Sequence, residues 1–280
     1  MPRVVRGPTF AAVLTCAGLF ACSGQTRVTL LEPIVAHPDA GSAAGADSGR
    51  DAATPPPSNV AHLIHRYSFG GEGTRVVDSA GSADGSLQGG ALLDGAGHVT
   101  LDGQDDYVNL PNGLLSSLKD ATLIAWLAWS GGPCWQRVFD FGSTDAGEDL
   151  VGNATSSLFL TPKRCPGTGP ATSFQTTGNE AGSVDSDTPF PVLKVSAIAV
   201  VVDGTKQQLR MYAAGEPLGR GVAPSLAALS DENDWLGRSQ WVQDTYLMRG
   251  TYDEFRIYDV ALSDADLAAL EAAGPDALAP

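Results

Sequence analysis

Gly250-Thr251-Tyr252-Asp253-Glu254-Phe255-Arg256-Ile257-Tyr258-Asp259, followed by Ala261-Leu262-Ser263, is the stretch whose reading decides the fold. Phe255, Ile257 and the aliphatic body of Val260 recur with a strand-like period, while Glu254, Arg256 and Tyr258 face the other way. A polar residue set beside each large apolar one describes a strand with one face on a core. Asp253 and Glu254 then read as turn and surface carboxylates.

Working outward, the same grammar repeats. Leu63-Ile64-His65-Arg66-Tyr67-Ser68-Phe69 alternates apolar and polar side chains and is broken by Gly70-Gly71-Glu72-Gly73. Asp78-Ser79-Ala80-Gly81 and Asp84-Gly85 are turn chemistry. Further strands are predicted at 98–101, 107–110, 121–129, 136–141, 157–161, 195–202, 208–213, 234–237 and 251–258. Two of them, Ala121–Trp129 and Val195–Val202, are nearly continuous apolar runs, which belong to central strands covered on both faces. One helix is predicted, with Ser263 as N-cap, Asp264 to Ala272 as body, and Leu267 and Leu270 facing inward. Short strands, 33 glycines and 18 prolines, and a single short C-terminal helix describe an all-β, two-sheet antiparallel sandwich.

The first stretch has a different purpose. Arg3 and Arg6 precede an apolar run from Phe10 to Phe20, too short to span a bilayer and of the length of an export signal. Leu19-Phe20-Ala21-Cys22 resembles a bacterial lipobox, which implies lipidation of Cys22 after removal of residues 1–21. Ordinary cleavage near Ala21, giving a secreted soluble product, is the alternative. Residues 22–59 are rich in Ala, Gly, Pro, Asp and Ser and lack apolar periodicity, as a disordered tether does. The folded domain is placed at residues 60–273, with 274–280 as a tail.

Composition narrows function. Of 280 residues, 43% are apolar and 18% charged, which fits a globular core. A net charge of −15 and a pI near 4.4 repel phosphate backbones and anionic lipid, leaving the lipid anchor as the expected route to a membrane. Cys134 and Cys165 flank two predicted strands and, in an exported chain, read as a disulfide closing a loop of about thirty residues, contributing about 3 kcal/mol. Two cysteines without a nearby histidine make a poor metal site. No His-Glu-x-x-His, Gly-x-Ser-x-Gly or phosphate-binding glycine loop is present. The four histidines are scattered and nominate no general base.

Taken in order, His65-Arg66-Tyr67-Ser68-Phe69 with Asp78-Ser79-Ala80-Gly81, then Leu101-Asp102-Gly103 with Asp106-Tyr107-Val108, resemble segments of one family. Asp120-Ala121-Thr122 leading to Ala125-Trp126, Ala199-Val200-Val201-Val202-Asp203-Gly204 with Leu209-Arg210-Met211-Tyr212, and Gly250 to Ser263 continue the match. Residues 62–273 are similar to the laminin-G-like jelly roll of the concanavalin A-like lectin/glucanase superfamily. The resemblance implies a jelly roll and a calcium ion near the junction of the first and last strands, with Asp253 and Asp78 as candidate ligands. The paired-carboxylate strand Glu-x-Asp-x-x-Glu of the superfamily's glucanases is missing, which argues against an enzyme.

Jelly rolls bind on a sheet face or at loop ends, and sugars stack on exposed aromatic rings. Trp126, Trp129 and Trp235 read as core. Trp135, Trp241, Tyr246 and Arg238 are the candidate ligand-binding residues, with Arg137 and Asp244 as polar accessories. The expected function is a non-catalytic module for a glycan or an extracellular protein, displayed on a cell-envelope lipoprotein, with the outer membrane as the expected location. The alternative is a structural or interaction protein of the envelope without a small ligand.

Overall fold

The computed structural model describes residues 60–177 and 179–277. The export signal, Cys22 and the tether lie outside the described residues. The chain forms β1 (Leu63–Tyr67), β2 (Glu72–Gly73), β3 (Arg75–Val76), β4 (Gly85–Gln88), β5 (Leu93–Asp94) and β6 (Val99–Asp102). Then follow β7 (Tyr107–Leu110), β8 (Ala121–Trp129), β9 (Phe139–Thr144), β10 (Ala154–Thr161), β11 (Ala171–Thr176) and β12 (Asn179–Asp185). The series closes with β13 (Ser196–Asp203), β14 (Gln208–Ala213), β15 (Glu216–Val222), β16 (Asn233–Leu236), β17 (Arg249–Tyr258) and α1 (Asp264–Ala273). One sheet has the order β1-β17-β8-β13-β14-β15, with β6 also on β17; the other runs β12-β11-β10-β9-β16-β7-β4-β3. The described strand pairs within both sheets are antiparallel, so the predicted all-β jelly-roll sandwich with one short helix is the observed architecture.

The apolar runs of β8 and β13 are explained by two separate coverings. Leu123, Ala125 and Leu127 with Ile198, Val200 and Val202 face the main core between the sheets. Ile124, Trp126, Ala197, Ala199 and Val201 face the opposite way and are covered by Leu262 and by Leu267 and Leu270 of α1. The helix starts in a capping box, where the Ser263 hydroxyl accepts from the Asp266 N–H and the Asp266 carboxylate accepts from the Ser263 N–H. Its first-turn Asp264 accepts from Arg210 and from the Tyr212 hydroxyl, tying α1 to β14.

β17 departs from simple alternation. Its register against β8 shifts between Tyr252, opposite Leu127, and Glu254, opposite Trp126, leaving Asp253 as the extra residue of a bulge. The bulge lets Tyr252 and Phe255 both enter the main core. Glu254, Arg256 and Tyr258 do face the other way, but that face is buried, contrary to the expected surface position of Glu254. The C-terminal segment after α1 covers it: the carbonyls of Pro275 and Ala277 accept from Arg256 Nη2 at 2.5 and 2.7 Å. Glu254 accepts from Arg66 Nε and Nη2, each at 2.8 Å, and from Arg256 Nε. The Arg256 guanidinium lies 4.7 Å from the Trp126 ring centre.

At the far side of the sandwich, β15 leans against β12. A Cβ on Gly221 would meet the Ser183 carbonyl at 2.4 Å, and one on Gly182 would meet the Val222 carbonyl at 1.7 Å. Gly182 and Gly221 are therefore set by close approach of two backbones, while a Cβ on Gly219 would meet the Val184 side chain at 2.6 Å.

Removing the Glu254 carboxylate leaves two guanidiniums facing each other in a buried site. Glu254→Ala is expected to lose about 3–5 kcal/mol of stability. That corresponds to a fall in melting temperature on the order of 10 °C for a domain of this size, measurable by calorimetry.

Candidate functional site

The sheet that runs from β12 to β3 turns one face to the core, through Leu158, Leu160, Phe139, Phe141, Phe174 and Leu236. Alternation sends the intervening residues outward. The registers place Ser183 opposite Ser173, Ser173 opposite Phe159, and Phe159 opposite Asp140. The same row continues from Asp140 to Trp235, Asn109 and Ser86. One unbroken file of side chains thus crosses seven strands, mixed in chemistry and centred on two aromatic rings.

Around Phe159 the loops build an aromatic cluster. Trp135 and Trp241 meet the Phe159 ring edge-on at centroid distances of 6.5 and 5.5 Å. The Arg137 guanidinium sits 4.1 Å from the Phe159 centroid and 5.3 Å from that of Trp241. Arg137 Nε donates to Asp140 Oδ2 at 3.1 Å, Nη1 to the Trp135 carbonyl at 2.8 Å, and Nη2 to Asp244 Oδ2 at 2.5 Å. All three arms of the guanidinium are thereby used inside the protein, and the ring positions are fixed by it.

The sequence around Trp135 explains why it stands there. Cys134 is bonded to Cys165 with Cα atoms 5.8 Å apart, as predicted, and the Trp135 N–H donates to the Lys163 carbonyl at 2.9 Å. Trp135 itself has a φ of 66°, a left-handed conformation that a bulky residue adopts only when its surroundings hold it. Asp140 lies fully buried beneath the cluster and accepts from Ser157 Oγ at 2.6 Å and the Gln240 N–H at 3.1 Å. Burial raises its pKa to about 6, against the opposing pull of the Arg137 charge and these hydrogen bonds.

Three depressions open on this side. One of about 240 Å³ has Trp135, Phe159, Ser173, Gln175, Ser183 and Asp185 in its wall. A second of about 260 Å³ shares Trp135, Phe159 and Gln175 and adds Trp241, Gln243 and Asp244. A third of about 320 Å³ shares Trp241 and Asp244 and extends to Gln104, Tyr107 and Arg238. Neighbouring depressions have wall residues in common and so lie in series, a segmented trough along this face. The Ser173 hydroxyl is buried and makes no hydrogen bond.

The candidate residues thus divide. Trp135 and Trp241 come together, both partly exposed, through Phe159 and Arg137. Arg238 is held apart from them, against the touching rings of Tyr107 at 4.5 Å and Trp235 at 4.3 Å, and lines the third depression. Tyr246 is 56% exposed and lines none of the three. Phe159 and Gln175, which the sequence did not single out, stand at the centre. Phe159 is hidden in the run Leu158-Phe159-Leu160, where only the register tells the outward ring from its inward neighbours.

Asp78 does not fit a calcium ligand. Its Oδ1 accepts from the N–H groups of Arg66, Ala80 and Gly81, and its Oδ2 from His65 Nδ1 and the Ala83 N–H. Burial opposes ionisation, but these bonds outweigh it and lower the pKa to about 2. Asp253 sits on the bulge with Oδ2 buried and unpartnered, and burial raises its pKa. Among the described residues the three acidic side chains within mutual reach are Asp102, Asp105 and Asp106, a group that includes neither.

Comparison with known proteins follows the same architecture. The family model described as Laminin_G_3, concanavalin A-like lectin/glucanases superfamily, matches residues 102–268. No curated protein matches the sequence. Domain 4 of AbnA, an extracellular GH43 arabinanase from Geobacillus stearothermophilus solved with arabinotriose, is similar at 18% identity and a TM-score of 0.53. That match covers 75% of this chain and 98% of the other. A botulinum neurotoxin type C structure is similar at 13% identity and a TM-score of 0.54, over 77% of this chain and 52% of the toxin chain. The leech intramolecular trans-sialidase is similar at 16% identity and a TM-score of 0.50, over 63% of this chain and 27% of that enzyme. At these identities the shared property is the fold.

Asp140 generates a pH prediction. Its folded pKa stands above the unfolded carboxylate value, so its ionisation opposes folding as pH rises from about 4 through about 6. Comparing urea unfolding of the parent and Asp140→Asn across pH 4–7 should show the parent losing stability relative to the variant over that window.

Proposed function

The chain belongs to the concanavalin A-like lectin/glucanase superfamily, and on that footing we propose that the trough is a non-catalytic carbohydrate-binding site. The observation that carries this reading is the Trp135–Phe159–Trp241 cluster, fixed from beneath by Arg137 and from the side by the Cys134–Cys165 bond. Aromatic rings held rigid before the ligand arrives lower the ordering cost of binding. Gln175, Gln243, Ser173 and Asp244 stand beside the rings and match the hydroxyl groups of a sugar in hydrogen-bonding capacity. The arabinotriose in the domain 4 structure, and the two ganglioside molecules on which the toxin's cell entry depends, support a glycan as partner.

The carboxylates speak for binding without catalysis. Asp140 has a pKa suited to a general acid but is fully buried under Arg137 and Gln240, out of reach of any substrate. Asp244 spends Oδ2 on Arg137 and on the Ser239 hydroxyl. Asp244 borders the third depression with Asp105, but its ion pair with Arg137 leaves it unsuited to act as the proton donor of an acid pair. The second reading, an envelope protein that contacts other proteins without a small ligand, draws on the exposed Val192, Leu193 and Val195 beside Lys194.

The proposal extends to placement. Lipidation at Cys22 and a tether over residues 22–59 would hold the domain at the cell envelope, most simply on the outer membrane, and the disulfide supports export. Labelled palmitate should enter the parent chain and not Cys22→Ala.

A glycan array is the direct test of the site. Trp135→Ala and Trp241→Ala should each weaken binding of whichever glycan is captured by about two- to tenfold, since stacking contributes about 0.5–1.5 kcal/mol per ring. A blank array with folded protein sinks the carbohydrate reading and favours the second.

A further inference from the structure

Resting on the carbohydrate-binding reading, we infer that the site takes an extended, uncharged polysaccharide chain along its length, and that it does not capture a terminal or acidic sugar. Three observations carry this. The first is continuity. The depressions share Trp135, Phe159 and Gln175 at one junction and Trp241 and Asp244 at the next, so they lie end to end along one face.

The second is length. The trough begins at Ser183 and Asp185 on β12 and reaches Tyr107 on β7, five strand spacings along the order β12-β11-β10-β9-β16-β7. At about 4.8 Å per spacing that is ~24 Å. A monosaccharide would occupy a small part of it. Both ends carry polar walls of their own, Ser173 and Ser183 at one, Gln104 and Thr245 at the other.

The third is charge. The trough walls carry Asp105, Asp185 and Asp244. Arg137 has its three arms committed to Asp140, Asp244 and the Trp135 carbonyl. Arg238 lies against the rings of Tyr107 and Trp235, with Asp105 in the wall of the same depression. Asp244 is paired with Arg137, and Asp185 lies 3.9 Å from Arg164 Nε. The trough thus offers a carboxylated or sulfated polymer no uncommitted guanidinium beyond Arg238, and Asp105 and the net charge of −15 oppose it. Uncharged pentoses or hexoses meet no such opposition.

The test uses the exported chain and oligosaccharide ladders of one to six units from arabinan, xylan, cellulose and mannan, titrated by calorimetry beside sialyllactose and oligogalacturonate. Two further chains carry an obstruction at opposite ends, Ser183→Trp and Gln104→Trp, both at exposed positions so that folding is retained and checked by circular dichroism. In the series that binds, affinity should rise at least tenfold from two units to six. Each obstruction should remove most of that rise while leaving disaccharide affinity within about twofold. Equal affinity at all lengths, or preference for the acidic ligands, with Trp135→Ala still weakening binding, overturns the extended-chain inference and leaves the carbohydrate reading standing. No binding by any ladder or acidic ligand overturns both.

Discussion

Much of this molecule follows from one buried carboxylate. Glu254 lies between Arg66 of the first strand and Arg256 of the last, out of contact with water, and a buried charge of that kind is tolerated only when it is paired and hydrogen-bonded. Two guanidiniums and one carboxylate leave a positive balance, which the carbonyls of Pro275 and Ala277 and the face of Trp126 offset. The pairing aligns β1 with β17. The bulge at Asp253 then resets the register, so that Tyr252 and Phe255 both pack inward. Strands separated by nearly two hundred residues are thus fixed against each other by a buried ion pair.

That closure decides which face is available for binding. α1 and the segment after it cover the outer side of the sheet containing β17, while the outer side of the other sheet is roofed by loops that bury Asp140 and Trp235 and carry Trp135 and Trp241 at the surface. There the row from Ser183 to Ser86 needs no apolar partner, and polar side chains are free to alternate with rings. Arg137 joins the layers: it stacks on Phe159, holds Asp140 in the sheet and Asp244 in the loop above, and so makes the loop surface part of a rigid floor.

The sequence made the covered parts legible and left the trough obscure. The bounds of β7, β8 and β14 and the capped helix could be read directly, because their apolar residues answer to a nearby core. β11, β12 and β15 were not foreseen. Thr172, Ser173 and Gln175 have no apolar rhythm, and the glycines of β15 look like turn residues although they mark a close approach of strands. The predicted strand at 136–141 begins instead at Phe139, since Gln136 is diverted to accept from the Trp129 indole and the Arg249 N–H. Trp135 and Trp241 were found as aromatic residues in turn-rich loops, a compositional signal. Phe159 and Gln175 could not be, because their direction depends on pairings between strands far apart in the chain.

The seam between β12 and β15 has a consequence for how molecules of this protein meet. Terminal strands of a sheet present unpaired amides and carbonyls that invite a neighbour's strand to add on. Here Gly182 and Gly221 bring the ends of the two sheets within backbone contact of each other, so each blocks the other's approach. A side chain at either position would prise the seam apart and uncover both borders at once. The close approach at these two glycines therefore leaves neither of these borders open to a neighbour's strand.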